Sequence, residues 1–177
     1  MPKRFIILAV TVITMTIAIG FVAMQPANLP KTETNKPSAD SGVTVGKMLP
    51  GFTLSALDGK PTKVTPAGQI IVLNFWETWC PPCREEMPEL AKFAQKYGSN
   101  VSFYLINIQE SNTKVAEFLT QNKYTMNVLL DTNGEVAKTF HINAIPTTLV
   151  VDQQGTIKYR KSGPVTVAEL EGVLNGL

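Results

Sequence analysis

The sequence predicts an α/β fold, a mixed central sheet flanked by helices on both faces. Three observations lead there. Strand-like and helix-like segments alternate from Val43 onward, the pattern of a sheet covered by helices. Residues 70–76, Ile-Ile-Val-Leu-Asn-Phe-Trp, are a nearly continuous apolar run, as expected of a central strand buried on both faces. Short turns such as Asp58-Gly59 join neighbouring strand segments, which makes part of the sheet antiparallel.

In chain order, residues 52–57 and 61–64 form an N-terminal hairpin around Asp58-Gly59, and 70–76 is the central strand. A helix then opens near Cys80 and runs to about Tyr97, with Gly98 as C-cap. Pro88 falls inside that helix and should kink it. Residues 101–108 are the next strand. Residues 114–122 are helical, with Val115, Phe118 and Leu119 on one face. Residues 128–130 are a short strand, 135–140 a short helix, and 147–151 and 156–159 a hairpin turning at Gly155. Residues 167–174 close the chain as a helix.

The totals restrict function. The excess of 16 basic over 14 acidic residues sits in Lys3 and Arg4, outside this folded region. Nucleic-acid binding usually needs a basic surplus that the folded region lacks. Residues 5–24 carry no charge, and the first charge after them is Lys31. At ~1.5 Å rise per residue such a helix spans a bilayer core of roughly 30 Å. Lys3 and Arg4 before it place residues 1–4 in the cytoplasm and the rest outside. The run is longer than a cleaved signal core and no A-x-A site follows, so a retained anchor is expected. Residues 25–42, rich in Pro, Ser, Thr, Asn and Lys, read as a flexible tether. The domain proper is then 43–177, on the extracytoplasmic face of the cell membrane.

The only cysteines are Cys80 and Cys83. Bonded together they close too small a loop to constrain the unfolded chain much, so chemistry explains them better than stapling. Zinc would need about four ligands, and with His141 as the sole histidine no metal or other cofactor is expected. Haem attachment through CxxCH fails because Arg84 follows Cys83.

The placement favours thiol chemistry. Strand 70–76 leads through Glu77, Thr78 and Trp79 into Cys80-Pro81-Pro82-Cys83 at the start of a helix. Unpaired N–H groups and the positive dipole end there stabilise a thiolate, the form that attacks disulfides. Cys80, nearer the helix end, is the expected exposed, low-pKa attacking thiol, and Cys83, one turn deeper, the resolving thiol. Pro81 and Pro82 suit a first turn, although Pro82 disfavours helical geometry at Pro81. Glu86 falls on the helix face of Cys83, one turn on. Partly desolvated there, it could carry protons to or from Cys83. Arg84, Glu85 and Glu89 read as solvated charges. Trp76 and Trp79 read as packing residues, with Trp79 also placed to cover the site beside Cys80. Ile145-Pro146 precedes a strand, and a cis bond there would offer backbone groups to a substrate chain. Trp79, Pro81, Pro82, Ile145 and Pro146 are therefore the expected substrate-binding residues. His141, at a helix end, reads as a structural or surface residue.

Two stretches carry a family resemblance: Asn74-Phe75-Trp76-x-Thr78-Trp79-Cys80-Pro81-Pro82-Cys83-Arg84-x-Glu86-x-Pro88, and Ala144-Ile145-Pro146-Thr147-Thr148. Residues 43–177 resemble the thioredoxin superfamily, and within it the TlpA/ResA-like membrane-anchored thiol–disulfide oxidoreductases. The resemblance implies a thioredoxin-like fold with an N-terminal β-hairpin and a central αβ insertion. It implies a protein disulfide reductase that receives electrons from a CcdA-like membrane donor. The usual substrate is the CxxCH pair of apocytochrome c during cytochrome c maturation, and some relatives instead serve spore-cortex formation. The family's active-site glutamate matches Glu86. Two departures stand out. Asn74 replaces the buried aspartate of ordinary thioredoxins. Glu77, where relatives often carry a small residue, would raise a neighbouring thiol pKa if it pointed inward and is expected to face solvent.

Two other readings remain open. A disulfide-forming oxidase often carries a histidine between its cysteines, where this chain has prolines. A redox-inert binding module would use the Ile145-Pro146 region without thiol chemistry.

Overall fold

The computed structural model describes residues 42–66 and 68–177. The cytoplasmic start, the anchor and nearly all of the tether expected over residues 1–42 lie outside these. Among the described residues, no helix is long and apolar enough to cross a membrane.

The strands are β1 (Phe52–Ala56), β2 (Pro61–Val64), β3 (Ile70–Trp76), β4 (Val101–Ile108), β5 (Val128–Asp131), β6 (Thr147–Val151) and β7 (Ile157–Ser162). The helices are α1 (Pro81–Tyr97), α2 (Asn112–Asn122), α3 (Glu135–Thr139) and α4 (Val167–Leu174). One sheet runs in the order β2-β1-β5-β4-β3-β6-β7. It is mixed as expected: β3–β4 and β4–β5 are parallel, and β1–β2, β1–β5, β3–β6 and β6–β7 antiparallel.

Strand β3 is central because both its faces are apolar, and alternation sorts its residues. Val72 and Trp76 pack with Met87, Leu90 and Phe93 of α1, Val115 and Leu119 of α2, and Leu170 of α4. Ile71, Leu73 and Phe75 pack on the other face with Ala137 of α3, Phe140, Val43 and Leu49. Helices therefore cover both faces. Leu73 and Phe75 are fully buried, and truncating such a side chain to alanine costs roughly 2–5 kcal/mol. Asn74 shares the α1 face with Val72 and Trp76, so the strand presents one amide inside an otherwise apolar layer.

Most expected elements appear, with shifted boundaries. Helix α2 begins at Asn112 rather than 114, because the Ser111 side chain accepts from Lys114 N and caps it. Strand β7 extends to Ser162, beyond its apolar pattern, because ladder pairing with β6 continues to Thr147↔Ser162. Helix α1 runs unbroken from Pro81 to Tyr97 across Pro88. Gly98 does cap it, but with right-handed φ −60°. Glycine suits this cap because a Cβ would meet the Ala94 carbonyl oxygen at 2.6 Å.

Candidate active site

Cys80 is the N-cap of α1, and Pro81 and Pro82 fill its first helical positions. This resolves which residue opens the helix: prolines sit where their missing N–H groups cost nothing. The Cys83 backbone N–H donates to Cys80 Sγ at 3.2 Å, the bond a capping side chain ordinarily accepts. The two cysteines form a disulfide. Cys80 is 3% exposed and Cys83 fully buried. The order of access is as expected, but Cys80 is less open than its helix-end position suggests, because the segment before Pro146 covers it. Its Sγ lies 3.9 Å from the Ile145 carbonyl oxygen. The Ile145–Pro146 bond is cis, Pro146 is buried and Ile145 half-buried.

Glu86 lies one turn below Cys83 and is 3% exposed. Its Oε1 accepts from Asn74 Nδ2 at 2.8 Å, and its Oε2 from the Val165 N–H at 2.9 Å. Asn74 also donates to Thr148 Oγ1, its cross-strand neighbour on β6, at 3.0 Å. Burial pushes the Glu86 carboxyl up from 4.5 to about 7. The two hydrogen bonds and the Lys161 ammonium oppose that rise without cancelling it. A carboxyl poised near neutrality can both take and give a proton at ordinary pH.

A second buried acid flanks the redox turn. Glu110, 7% exposed, follows the end of β4. Its Oε2 accepts from Thr78 N (2.7 Å) and Asn107 Nδ2 (2.8 Å). Its Oε1 accepts from Thr78 Oγ1 (2.7 Å) and pairs with Lys114 Nζ (2.6 Å). Burial pushes its pKa up, but the bonds from Asn107, Lys114 and Thr78 outweigh that and hold it below the ordinary value. Sequence reading missed this group. The signal that would have found it is topological: parallel β3 and β4 end side by side, with Trp76 opposite Asn107. An acid just past one strand end therefore meets the turn just past the other.

Three expectations need correction. Trp79 is not a packing residue. It is 62% exposed, because strand alternation ends at Trp76 and Trp79 lies in the turn before the cap. Trp76, by contrast, is fully buried. Glu77 does not simply face solvent. It is half-buried, and burial with repulsion from Glu110 raises its pKa, opposed by the Trp79 side chain and Lys114. Glu89 is half-buried rather than solvated, accepting from Val167 N at 3.2 Å at the start of α4.

Trp79 and Ile145 line a groove of about 770 Å³ with Glu77, Ile108, Lys138 and His141. Pro81 lies outside it, beside Arg84, Glu85 and Phe118. The expected substrate-binding residues are thus split: Trp79 and Ile145 share one groove, while Pro81 is exposed on another side and Pro82 half-buried.

Comparison with known proteins agrees with this geometry. The Redoxin family model matches residues 44–174. Sporulation thiol-disulfide oxidoreductase A of Bacillus subtilis is 33% identical over 124 residues, 68% of this chain and 75% of that protein. The thiol-disulfide oxidoreductase ResA of Geobacillus thermodenitrificans is 28% identical over 179 residues, 99% of this chain and 97% of its own. The crystal structure of StoA from Bacillus subtilis superposes with a TM-score of 0.63 at 32% identity, covering 71% of this chain and 96% of that one. A CxxC disulfide at a helix N-cap, on this sheet, with these relatives, admits one conclusion: the chain belongs to the redoxin family and is a thiol–disulfide oxidoreductase of thioredoxin-like fold.

Proposed function

We propose that the protein reduces disulfides of exported proteins, with the CxxCH cysteines of apocytochrome c as principal substrate. The observation that carries the exchange mechanism is Glu86, a buried carboxyl one turn below Cys83 with its pKa raised to about 7. The prolines between the cysteines, where oxidases often carry a histidine, favour the reductive direction. Reduced Cys80 attacks a substrate disulfide as thiolate, and one substrate sulfur leaves as thiolate. Glu86 takes the proton from the Cys83 thiol. Cys83 then attacks Cys80 Sγ, the second substrate thiolate leaves, and the Cys80–Cys83 disulfide forms. The substrate gains two electrons and the enzyme loses two. A CcdA-like membrane donor restores the dithiol. Trp79, Ile145 and the cis-Pro146 segment hold the substrate chain beside Cys80, with Pro81 and Pro82 fixing the cap. The uncharged run at 5–24 anchors the domain outside the cytoplasm, with residues 1–4 inside.

Similarity to proteins named ResA supports this reading. A second reading, reduction of proteins needed in sporulation, is favoured by the relative named for sporulation. Trapping separates them. Full-length Cys83→Ala protein cannot resolve, so it should accumulate mixed disulfides in its native membrane. Apocytochrome c among them supports the first reading, and proteins of the developing spore the second. Absence of any trapped species would sink both. A reduction potential near ~−270 mV fits a reductase, while one near ~−120 mV would mark an oxidase. Mature protein beginning after residue 24 would overturn the anchor.

A further inference from the structure

We propose that Glu110 is a positioning residue for the attacking thiol, its carboxylate clamping Thr78 so that Cys80 keeps its place at the cap of α1. The inference rests on Cys80 being the attacking thiol. Three independent features carry it.

First, the clamp is two-pronged and short: both the N–H and the hydroxyl of Thr78 donate to Glu110 at 2.7 Å. Thr78 is two residues from Cys80, and between them Cys80 N donates to the Glu77 carbonyl at 3.3 Å. Rotation of Thr78 would therefore move the Cys80 backbone directly. Second, the thiol's advantage depends on that backbone. Cys80 Sγ receives the Cys83 N–H only while Cys80 stays in its extended cap conformation, φ −78° and ψ 112°. Third, the chain spends backbone strain to put Glu110 there. Gln109 sits at φ +52°, a region that disfavours side chains other than glycine's. Its N–H is tied to the Asp131 carbonyl at 3.0 Å. That left-handed step turns the chain after β4 so that Glu110 lies under the redox turn. The other charged groups facing Glu110 are Glu77 and Lys114.

A carboxylate near a thiol can act in two opposite ways. As a bare charge it disfavours the thiolate. As a clamp it preserves the hydrogen bond that favours the thiolate. Removing it thus moves the Cys80 pKa down in the first case and up in the second.

The test measures alkylation of Cys80 by iodoacetamide against pH in the full chain. Cys83→Ala serves as background, since its backbone N–H is retained. Glu110→Gln has one acceptor oxygen for four donors and should raise the Cys80 pKa. On the acidic limb of the profile, below the parent Cys80 pKa, alkylation should slow about tenfold for each unit that pKa rises, as the thiolate fraction falls. Thr78→Val, which keeps Glu110 and its other partners, should shift the profile the same way, and Thr78→Ser should restore it. If Glu110→Gln fails to fold, the threonine pair alone decides. A profile superimposable on the parent, whatever the change in melting temperature, would reduce Glu110 to a structural group and overturn the proposal. A lowered Cys80 pKa would overturn it too, by showing that charge outweighs clamping. No protein substrate enters this assay, so its failure is distinct from a failure to trap one.

Discussion

Glu86 and Glu110 flank the same redox turn, and both are buried, yet they are held in opposite states. Burial raises Glu86 to about 7, while Glu110 is held below the ordinary carboxylate value. The difference lies in their donors. Glu86 receives two neutral hydrogen bonds, from an amide side chain and a backbone N–H. Glu110 receives three neutral ones and an ammonium. Each donor offsets part of the desolvation cost, the Asn107 amide most and the Lys114 ammonium next. Burial alone therefore does not decide whether an acid titrates. One glutamate is kept as a proton carrier and the other as a permanent acceptor.

Stability should separate them most clearly. For Glu86 the folded-state pKa, about 7, lies above the ordinary 4.5. Its protonated form is stabilising, so that contribution is complete below pH 4.5 and disappears as pH rises through 7. The change amounts to about 3 kcal/mol. Denaturant unfolding of the oxidised protein should record it, and Glu86→Gln should remove that part of the slope. A wild-type curve flat across this window would break the contrast.

Next comes turnover. Glu86→Gln should slow reduction of a model disulfide about a hundredfold, the low end for a lost general acid–base group. The wild-type inflection near pH 7 should vanish with it. Retention of that inflection in the variant would assign it to another group.

For Glu110 the sign reverses. Its folded pKa is depressed, so its contribution is present above the ordinary 4.5 and lost as pH falls through the lower folded value. Glu110→Gln should cost about 2 kcal/mol at pH 7, from donors left unpaired in a buried site. The cost should shrink in acid, where the wild-type acid is also protonated. Equal destabilisation at both pH values would mean the charge is irrelevant.

The smallest effect concerns Lys114, whose side chain is 54% exposed. Lys114→Met should weaken Glu110's stabilisation by about 0.5 kcal/mol, as for a solvent-screened pair. It should also raise the pKa of Glu77, which loses a nearby cation. Carboxyl titration by NMR would show whether Glu77 follows.

Legibility in the sequence tracked distance along the chain. Cys80, Cys83 and Glu86 lie within two turns of one helix, so spacing alone put them together. The apolar run 70–76 likewise announced a doubly covered strand, and β3 matches it residue for residue. Asn74 was visible as a departure, but its pairing with Glu86 needed the α1 face of β3. Trp79 was misread as packing because residue type outweighed its position in a turn.

The chain by itself determined the redox pair, its place at a helix start and the acid one turn below, because local hydrogen bonding and helical periodicity act over a few residues. Only the tertiary structure decided what those groups experience. Val165 reaches Glu86 from the loop before α4, and Glu110 reaches Thr78 because parallel β3 and β4 end in register. Desolvation and donor count are properties of the assembled core, so the opposite pKa shifts of two identical side chains are set there.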